Sequence, residues 1–236
     1  MSTFVLVHGA WHGAWCWYKI IPLIERNGHK VVAVDLPSHG RDKTPPEKIT
    51  LRDYVDCVCR VLDAETEPVI LVGHSMGGVV ITQVAEERPD KIKRLVYLTA
   101  FLLQNGETLL QVLGDQTLVL PNLVMPYENS PFSVKEDAIK EVFYADCPDS
   151  DITLAKLLLV PQAPEPFNAR VQTSPTRFGR VPRVYITCTK DNAIFPVVQE
   201  RMYTNLPCER VIKMETSHSP FFSAPEQLTK NLLSLI

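Results

Sequence analysis

Val69-Ile70-Leu71-Val72-Gly73-His74-Ser75-Met76-Gly77-Gly78-Val79 joins a run of aliphatic residues to an apolar pattern of helical period, with a serine at the junction. Four consecutive aliphatic residues closed by glycine read as a strand buried on both faces, and the pattern past Gly78 reads as a helix. Ser75 therefore falls on a strand-to-helix turn of the form Gly-x-Ser-x-Gly, the sharp turn that holds a nucleophilic hydroxyl above the end of a sheet. Gly73 and Gly77 suit that turn, because side chains there would collide with the strand and the helix that meet at it. The free N–H groups at the start of the helix point back to the turn and favour negative charge beside Ser75. Such a five-residue pattern recurs by chance. Its weight comes from the strand before it and the helix after it.

Outward from this turn the chain alternates strands and helices. Thr3 to Val7 reads as a first strand opening into the loop His8-Gly9-Ala10-Trp11, and Lys30 to Val34 as a second strand, with a helix from Trp15 to Arg26 between them. Thr50 is placed to cap a helix over Leu51 to Glu65, with Asp53 at the third position of a capping box. The helix after Ser75 runs to Arg88 and stops at Pro89. Arg94 to Leu98 is a fourth strand. From 101 to 182 the alternation gives way to a proline-rich stretch with short helical patterns at Lys135 to Tyr144 and Asp151 to Leu159, which reads as an inserted, mainly helical cap. Arg183 to Thr187 and Glu209 to Lys213 then resume as strands, with helices at Val197 to Leu206 and Pro225 to Ile236. The order implies an α/β fold, a parallel sheet of about six strands with helices on both faces.

With 236 residues, 45% of them hydrophobic and 22% charged, the chain has material for one well-buried core, so residues 1–236 are expected to form a single domain with the cap at about 101–182. A net charge of -3 without a basic tract argues against a nucleic-acid partner or an anionic membrane surface. The N-terminus lacks the features of a signal peptide, and no apolar run approaches the ~20 residues of a membrane span. A cytoplasmic protein without membrane insertion is the expectation, and a homodimer is compatible with it. Six cysteines without a C-x-x-C pair or a His/Cys ligand spacing imply reduced thiols and no metal site.

In such sheets the site lies beyond the carboxyl ends of the strands. A serine hydroxyl at neutral pH needs a base in hydrogen-bond reach and a carboxylate to orient that base. His218 is the only histidine after Ser75, and it follows the last strand. Asp191, just past the strand and turn that begin at Val184, is the carboxylate chosen. Asp115, Asp137, Asp146, Asp149 and Asp151 fall in the cap. Backbone N–H groups of Met76 and Ala10 are the candidates for receiving an oxyanion. Trp11 and Phe101 are the candidates for touching substrate, with core or cap packing the alternative for Trp11, Trp15 and Trp17. His8, His12, His74 and Asp35 read as structural hydrogen bonders.

The combination of His8-Gly9-Ala10-Trp11, Gly73-His74-Ser75-Met76-Gly77, Thr189-Lys190-Asp191 and Ser217-His218 resembles the α/β-hydrolase superfamily. Within it, the chain is similar to the branch of plant methyl esterases, hydroxynitrile lyases and bacterial esterases, pyrethroid-hydrolysing ones included. The resemblance extends over nearly the whole chain, including Phe143-Tyr-Ala-Asp-Cys-Pro in the cap. It implies the α/β-hydrolase fold with the first two strands of the full sheet absent, a triad of Ser75, Asp191 and His218, and an apolar pocket under the cap. The lyases carry Thr where this chain has Gly9, Glu-Ser-Cys where it has His74-Ser75-Met76, and Lys where it has Ser219. These departures favour a cofactor-independent serine carboxylesterase for small to medium hydrophobic or aromatic esters. A hydroxynitrile lyase using the same triad, or a hydrolase-fold receptor that binds a small molecule without turnover, is the alternative. Plant methyl esterases usually carry Met in place of Ser219, so no narrow plant-hormone substrate is implied.

Overall fold

The computed structural model describes residues 1–236. In chain order, β1 (Thr3–Val7), α1 (Ile20–Arg26), β2 (Lys30–Val34), α2 (Leu51–Ala64), β3 (Val69–His74), α3 (Gly77–Glu87) and β4 (Ile92–Leu98) form the first half of a sheet. Between β4 and the return to the sheet lie α4 (Leu109–Leu113), the two-residue strands β5 (Leu123–Val124) and β6 (Ser133–Val134), α5 (Ile139–Phe143), α6 (Asp149–Leu158) and α7 (Glu165–Asn168). β7 (Arg183–Cys188), α8 (Pro196–Asn205), β8 (Arg210–Met214), α9 (Pro220–Ser223) and α10 (Pro225–Leu233) complete the chain.

Six strands pair in parallel in the order β2-β1-β3-β4-β7-β8. Val69, Ile70, Leu71 and Val72 alternate between the two faces of β3, yet all four are at most 1% exposed, so both faces of the sheet centre are covered. β2 and β8, at the edges, are only partly buried. The register sets Val7 beside Gly73, Gly73 beside Tyr97 and Leu98 beside Ile186. Carboxyl ends therefore line up, and the loops after β1, β3, β4 and β7 emerge along one edge.

Local chemistry accounts for most element ends. The expected capping box of α2 is present, with Asp53 N–H donating to the Thr50 side chain and Thr50 N–H to the Asp53 carboxylate. The helix expected from Trp15 is split into a 3-10 turn at Ala14–Trp17 and α1. Pro22 explains the split: lacking an N–H, it fits only the first turn of a helix, so α1 starts two residues before it at Ile20. In the cap, Lys135 to Tyr144 forms helix only over Ile139–Phe143, and the prolines at 121, 126 and 131 flank a small antiparallel β5-β6 pair instead. The cap thus carries four short helices and a two-stranded pair joined by longer irregular stretches.

Asp151 of α6 fastens the cap to the sheet side. Its side chain is almost completely buried and accepts from the Tyr18 hydroxyl and from Lys19 Nζ, both at 2.5 Å. Burial and the Asp151 hydrogen bond raise the Tyr18 pKa, keeping that hydroxyl a donor. Asp151→Ala removes the acceptor from both partners and is expected to lower unfolding free energy by about 1–3 kcal/mol, measured by urea titration. An unchanged midpoint would mean that apolar contacts alone hold α6.

Candidate active site

Ser75 has φ 54°, in the left-handed region that β3 cannot continue and α3 does not use. Close approach explains its glycine neighbours. A Cβ on Gly73 would lie 2.7 Å from the Gly77 carbonyl oxygen, and one on Gly77 would lie 2.7 Å from the His8 carbonyl oxygen. The turn is held by its own main chain: the Ser75 carbonyl accepts from Gly78 N–H at 3.0 Å and from Phe101 N–H at 3.1 Å. The loop after β4 thereby braces the serine.

Asp191 and His218, on loops after β7 and β8, meet at 2.7 Å through Asp191 Oδ2 and His218 Nδ1. Both side chains are buried. Asp191 also accepts from Ala193 N–H at 2.7 Å, Ile194 N–H at 2.9 Å, Gln199 Nε2 at 3.3 Å and the Thr99 hydroxyl. A carboxylate surrounded by donors stays an acceptor, so Nδ1 of His218 carries the proton and Nε2 is the free basic nitrogen. No hydrogen bond links Ser75 Oγ to His218 Nε2 in this structure. Ser75 is coupled to the pair through its neighbour instead: His74 Nε2 donates to the His218 carbonyl at 2.9 Å, with the two rings 4.6 Å apart.

Ser75 borders a cavity lined by twelve residues, of which the other eleven are hydrophobic, including Ala10, Trp11, Met76 and Phe101. The N–H groups of Ala10 and Met76 donate to no acceptor in the protein, although both residues are buried, at 3% and 1% exposure. Orphaned buried N–H groups are rare, and two beside one serine form a ready receptor for an anionic oxygen. The cavity itself is small, about 20 Å³, room for about one water molecule. A larger cleft of about 820 Å³ lies between α2, α3 and residues 169–174, but it is polar and includes none of these groups. No cluster of three or more His, Cys, Asp or Glu side chains is arranged to hold a metal ion.

A model of the alpha/beta hydrolase family matches residues 4–230. The chain belongs to that family. Among curated relatives, it is 36% identical to methylesterase 1 of Arabidopsis thaliana over 98% of this chain and 95% of that one. It is also 36% identical to the putative chloroplastic methylesterase 11 of the same plant, where the match takes in 99% of this chain. The chain spans 64% of the length of that relative and 56% of putative methylesterase 13. Among solved structures, the Arabidopsis methylesterase MES16 superposes with a TM-score of 0.87 at 32% identity, covering 99% of this chain and 98% of that one. A pyrethroid hydrolase from Sphingobium faniae gives 0.90 at 27% identity, covering 99% and 96%.

The fold thus gathers Ser75, Ala10, Met76, Trp11 and Phe101 around one cavity and joins Asp191 to His218. Trp15 and Trp17 lie outside that lining, Trp17 in the core. Asp35 is a turn residue that accepts from Ala14 N–H at 2.7 Å and pairs with Arg41 at 3.0 Å. Sequence reasoning missed Thr99 and Gln199, which hold Asp191. Thr99 directly follows a strand end, the signal that singled out Phe101, whereas Gln199 sits inside α8 and had none. Phe143, Leu109 and Phe167 of the cap also line the cavity; the pattern over Lys135 to Tyr144 marked a helix there but not which of its residues would face Ser75.

Buried histidines surround the site in neutral form. His8 Nδ1 donates to the Gly9 carbonyl at 2.8 Å while Nε2 accepts from Leu36 N–H at 3.1 Å. His12 Nδ1 donates to the Ala10 carbonyl at 2.7 Å while Nε2 accepts from the Tyr144 hydroxyl at 2.6 Å. Desolvation is the largest cause lowering the pKa of His8, His12 and His74, and it brings His12 to about 3. An unfolded chain protonates the same histidines near pH ~6.5. Below that pH the unfolded state binds more protons than the folded one, so stability falls as pH falls. Each such histidine contributes up to about 1.4 kcal/mol per pH unit. For His12 the loss levels off near pH 3. Urea midpoints measured from pH 7 to pH 4 should drop steeply below about pH 6.5, and a flat profile would contradict neutral burial.

Proposed function

We propose that the protein is a serine carboxylesterase that hydrolyses small to medium hydrophobic or aromatic esters through an acyl-enzyme on Ser75. The observation that carries this reading is the pair of unpaired N–H groups, Ala10 and Met76, on the same apolar cavity as the serine. In the proposed cycle His218 Nε2 takes the Ser75 proton as Oγ attacks the ester carbonyl. The oxyanion is received by the two N–H groups, and His218 then protonates the leaving alcohol. Water activated by His218 releases the acid, while Asp191 holds the imidazole tautomer and stabilises its cation. Catalytic hydrogen bonds are often long before substrate binds, so the open Ser75–His218 link is the contact expected to form in the Michaelis complex. Methylesterase relatives support ester hydrolysis as the chemistry.

Gly9 favours the esterase over the lyase alternative. A Cβ at position 9 would lie 2.8 Å from Ser75 Cβ and 3.0 Å from His74 Nδ1, so a threonine there has no space in this loop. All six cysteines are unpaired, which supports a reducing compartment and a cytoplasmic site of action. No helix is long and apolar enough to cross a membrane.

Hydrolysis of a p-nitrophenyl ester series from acetyl to longer acyl chains tests the reading. Wild type should turn over, and Ser75→Ala should lose at least about 10³-fold in kcat. No turnover by folded wild type would sink the esterase. Gly9→Ala should displace the loop that carries Ala10 N–H and cost roughly 10²–10³ in kcat, the usual effect of losing one oxyanion donor. Wild-type kcat in that variant would mean that the loop tolerates the added methyl.

A further inference from the structure

The cavity beside Ser75 has a neighbour. A second cavity, of about 120 Å³, lies under the cap, with Val134, Ile139, Leu159 and Lys156 in its wall. Trp11 and Phe143 line both cavities, so these two rings, 5.5 Å apart, form the partition between them.

The two halves of the partition are held differently. Trp11 is tied to the cap at three points: Nε1 donates to the Phe132 carbonyl at 2.9 Å, its main-chain N–H to Gln162 Oε1 at 3.4 Å, and its carbonyl accepts from Val160 N–H at 3.0 Å. The Phe143 ring is buried against the rings of Trp11, His12, Tyr144 and His218 and makes no hydrogen bond, and it ends a helix of five residues. A rotation of Phe143 would break no hydrogen bond, whereas a rotation of Trp11 would break the one from Nε1 to the Phe132 carbonyl.

Volume says why they must join. The inner cavity holds about one water, too little for any ester, whereas a dry apolar cavity of about 150 Å³ holds a benzene ring. At about 120 Å³ the outer cavity matches one small ring or a short branched chain. Its charged residue, Lys156, has a carboxylate partner in Glu136 at 3.7 Å, so it requires no anionic ligand. Phe143 also indicates which half of the ester goes there. Its ring lies 5.8 Å from His218, the residue that would protonate the leaving oxygen, so the group directed at Phe143 is the alcohol.

We propose that the outer cavity is the subsite for the alcohol half of the substrate, a neutral single-ring or branched alcohol, admitted when Phe143 swings away from Trp11. The substrate class is then esters whose bulk is on the alcohol side. This rests on the esterase reading above.

The test compares methyl acetate, benzyl acetate and methyl phenylacetate with wild type and with Ile139→Trp, which fills the outer cavity. The benzyl acetate to methyl acetate ratio of kcat/KM should fall at least about tenfold in Ile139→Trp, with the methyl phenylacetate to methyl acetate ratio little changed. An unchanged benzyl ratio, or a loss falling on methyl phenylacetate, overturns the subsite while leaving the esterase intact. Wild type inactive on all three esters removes the esterase and the subsite with it. A crystal structure of Ser75→Ala with benzyl acetate decides independently of whether Ile139→Trp folds: the ring between Ile139 and Phe143 supports the subsite, and the ring elsewhere overturns it.

Discussion

A non-glycine residue held at φ 54° costs on the order of 1–3 kcal/mol in backbone strain, and Ser75 stays there because four segments close on it. β3 enters the turn, α3 leaves it, the loop after β1 presses on Gly77, and the loop after β4 donates to the serine carbonyl. Two neighbours share the strain: Trp11 at φ 62° and Thr99 at φ 38° lie on those same bracing loops. Strain is thus concentrated where the sheet's carboxyl edge meets the site, and the buried strands beneath it supply the rigidity that keeps it there.

The polar interior follows from the same crowding. Loops that converge on one point bring main-chain carbonyls and N–H groups out of water, and these need partners. Neutral imidazole suits the task because it offers one donor and one acceptor at low desolvation cost. His8 bridges Gly9 to Leu36, His12 bridges Ala10 to Tyr144, and His74 reaches the carbonyl of His218. Burial holds the Tyr144 hydroxyl protonated and hence a donor to His12. Among these imidazoles His218 alone has a carboxylate on Nδ1, the feature on which its proposed role rests.

The sheet and the strand-to-helix turn at Ser75 were legible because each is written locally. An aliphatic run closed by glycine, a capping box and a proline stop each constrain a few adjacent residues. Asp191 and His218 were legible through order along the chain and strand ends, since a parallel sheet brings every carboxyl end to one edge. What could not be read was whatever depends on packing between distant segments. Gln199 reaches Asp191 from inside a helix, and the cap's Phe143 and Phe167 meet Trp11 across a distance in sequence that no local pattern spans. The split of the first helix was readable in principle, because Pro22 cannot sit beyond a first turn.

Trp11 connects these levels. It follows Ala10, a residue of the cavity wall, and the cap grips it through Phe132, Val160 and Gln162. Gln162 is itself fully buried and anchored to Tyr54 and to the Ala163 carbonyl, so the grip extends into α2. The position of the Ala10 peptide therefore depends on how the cap is seated. A cap that rose as a body to admit substrate would shift the proposed oxyanion donor at the moment it is needed. Movement confined to side chains without polar tethers avoids that conflict, since the main-chain links from cap to loop stay closed while space opens beside them.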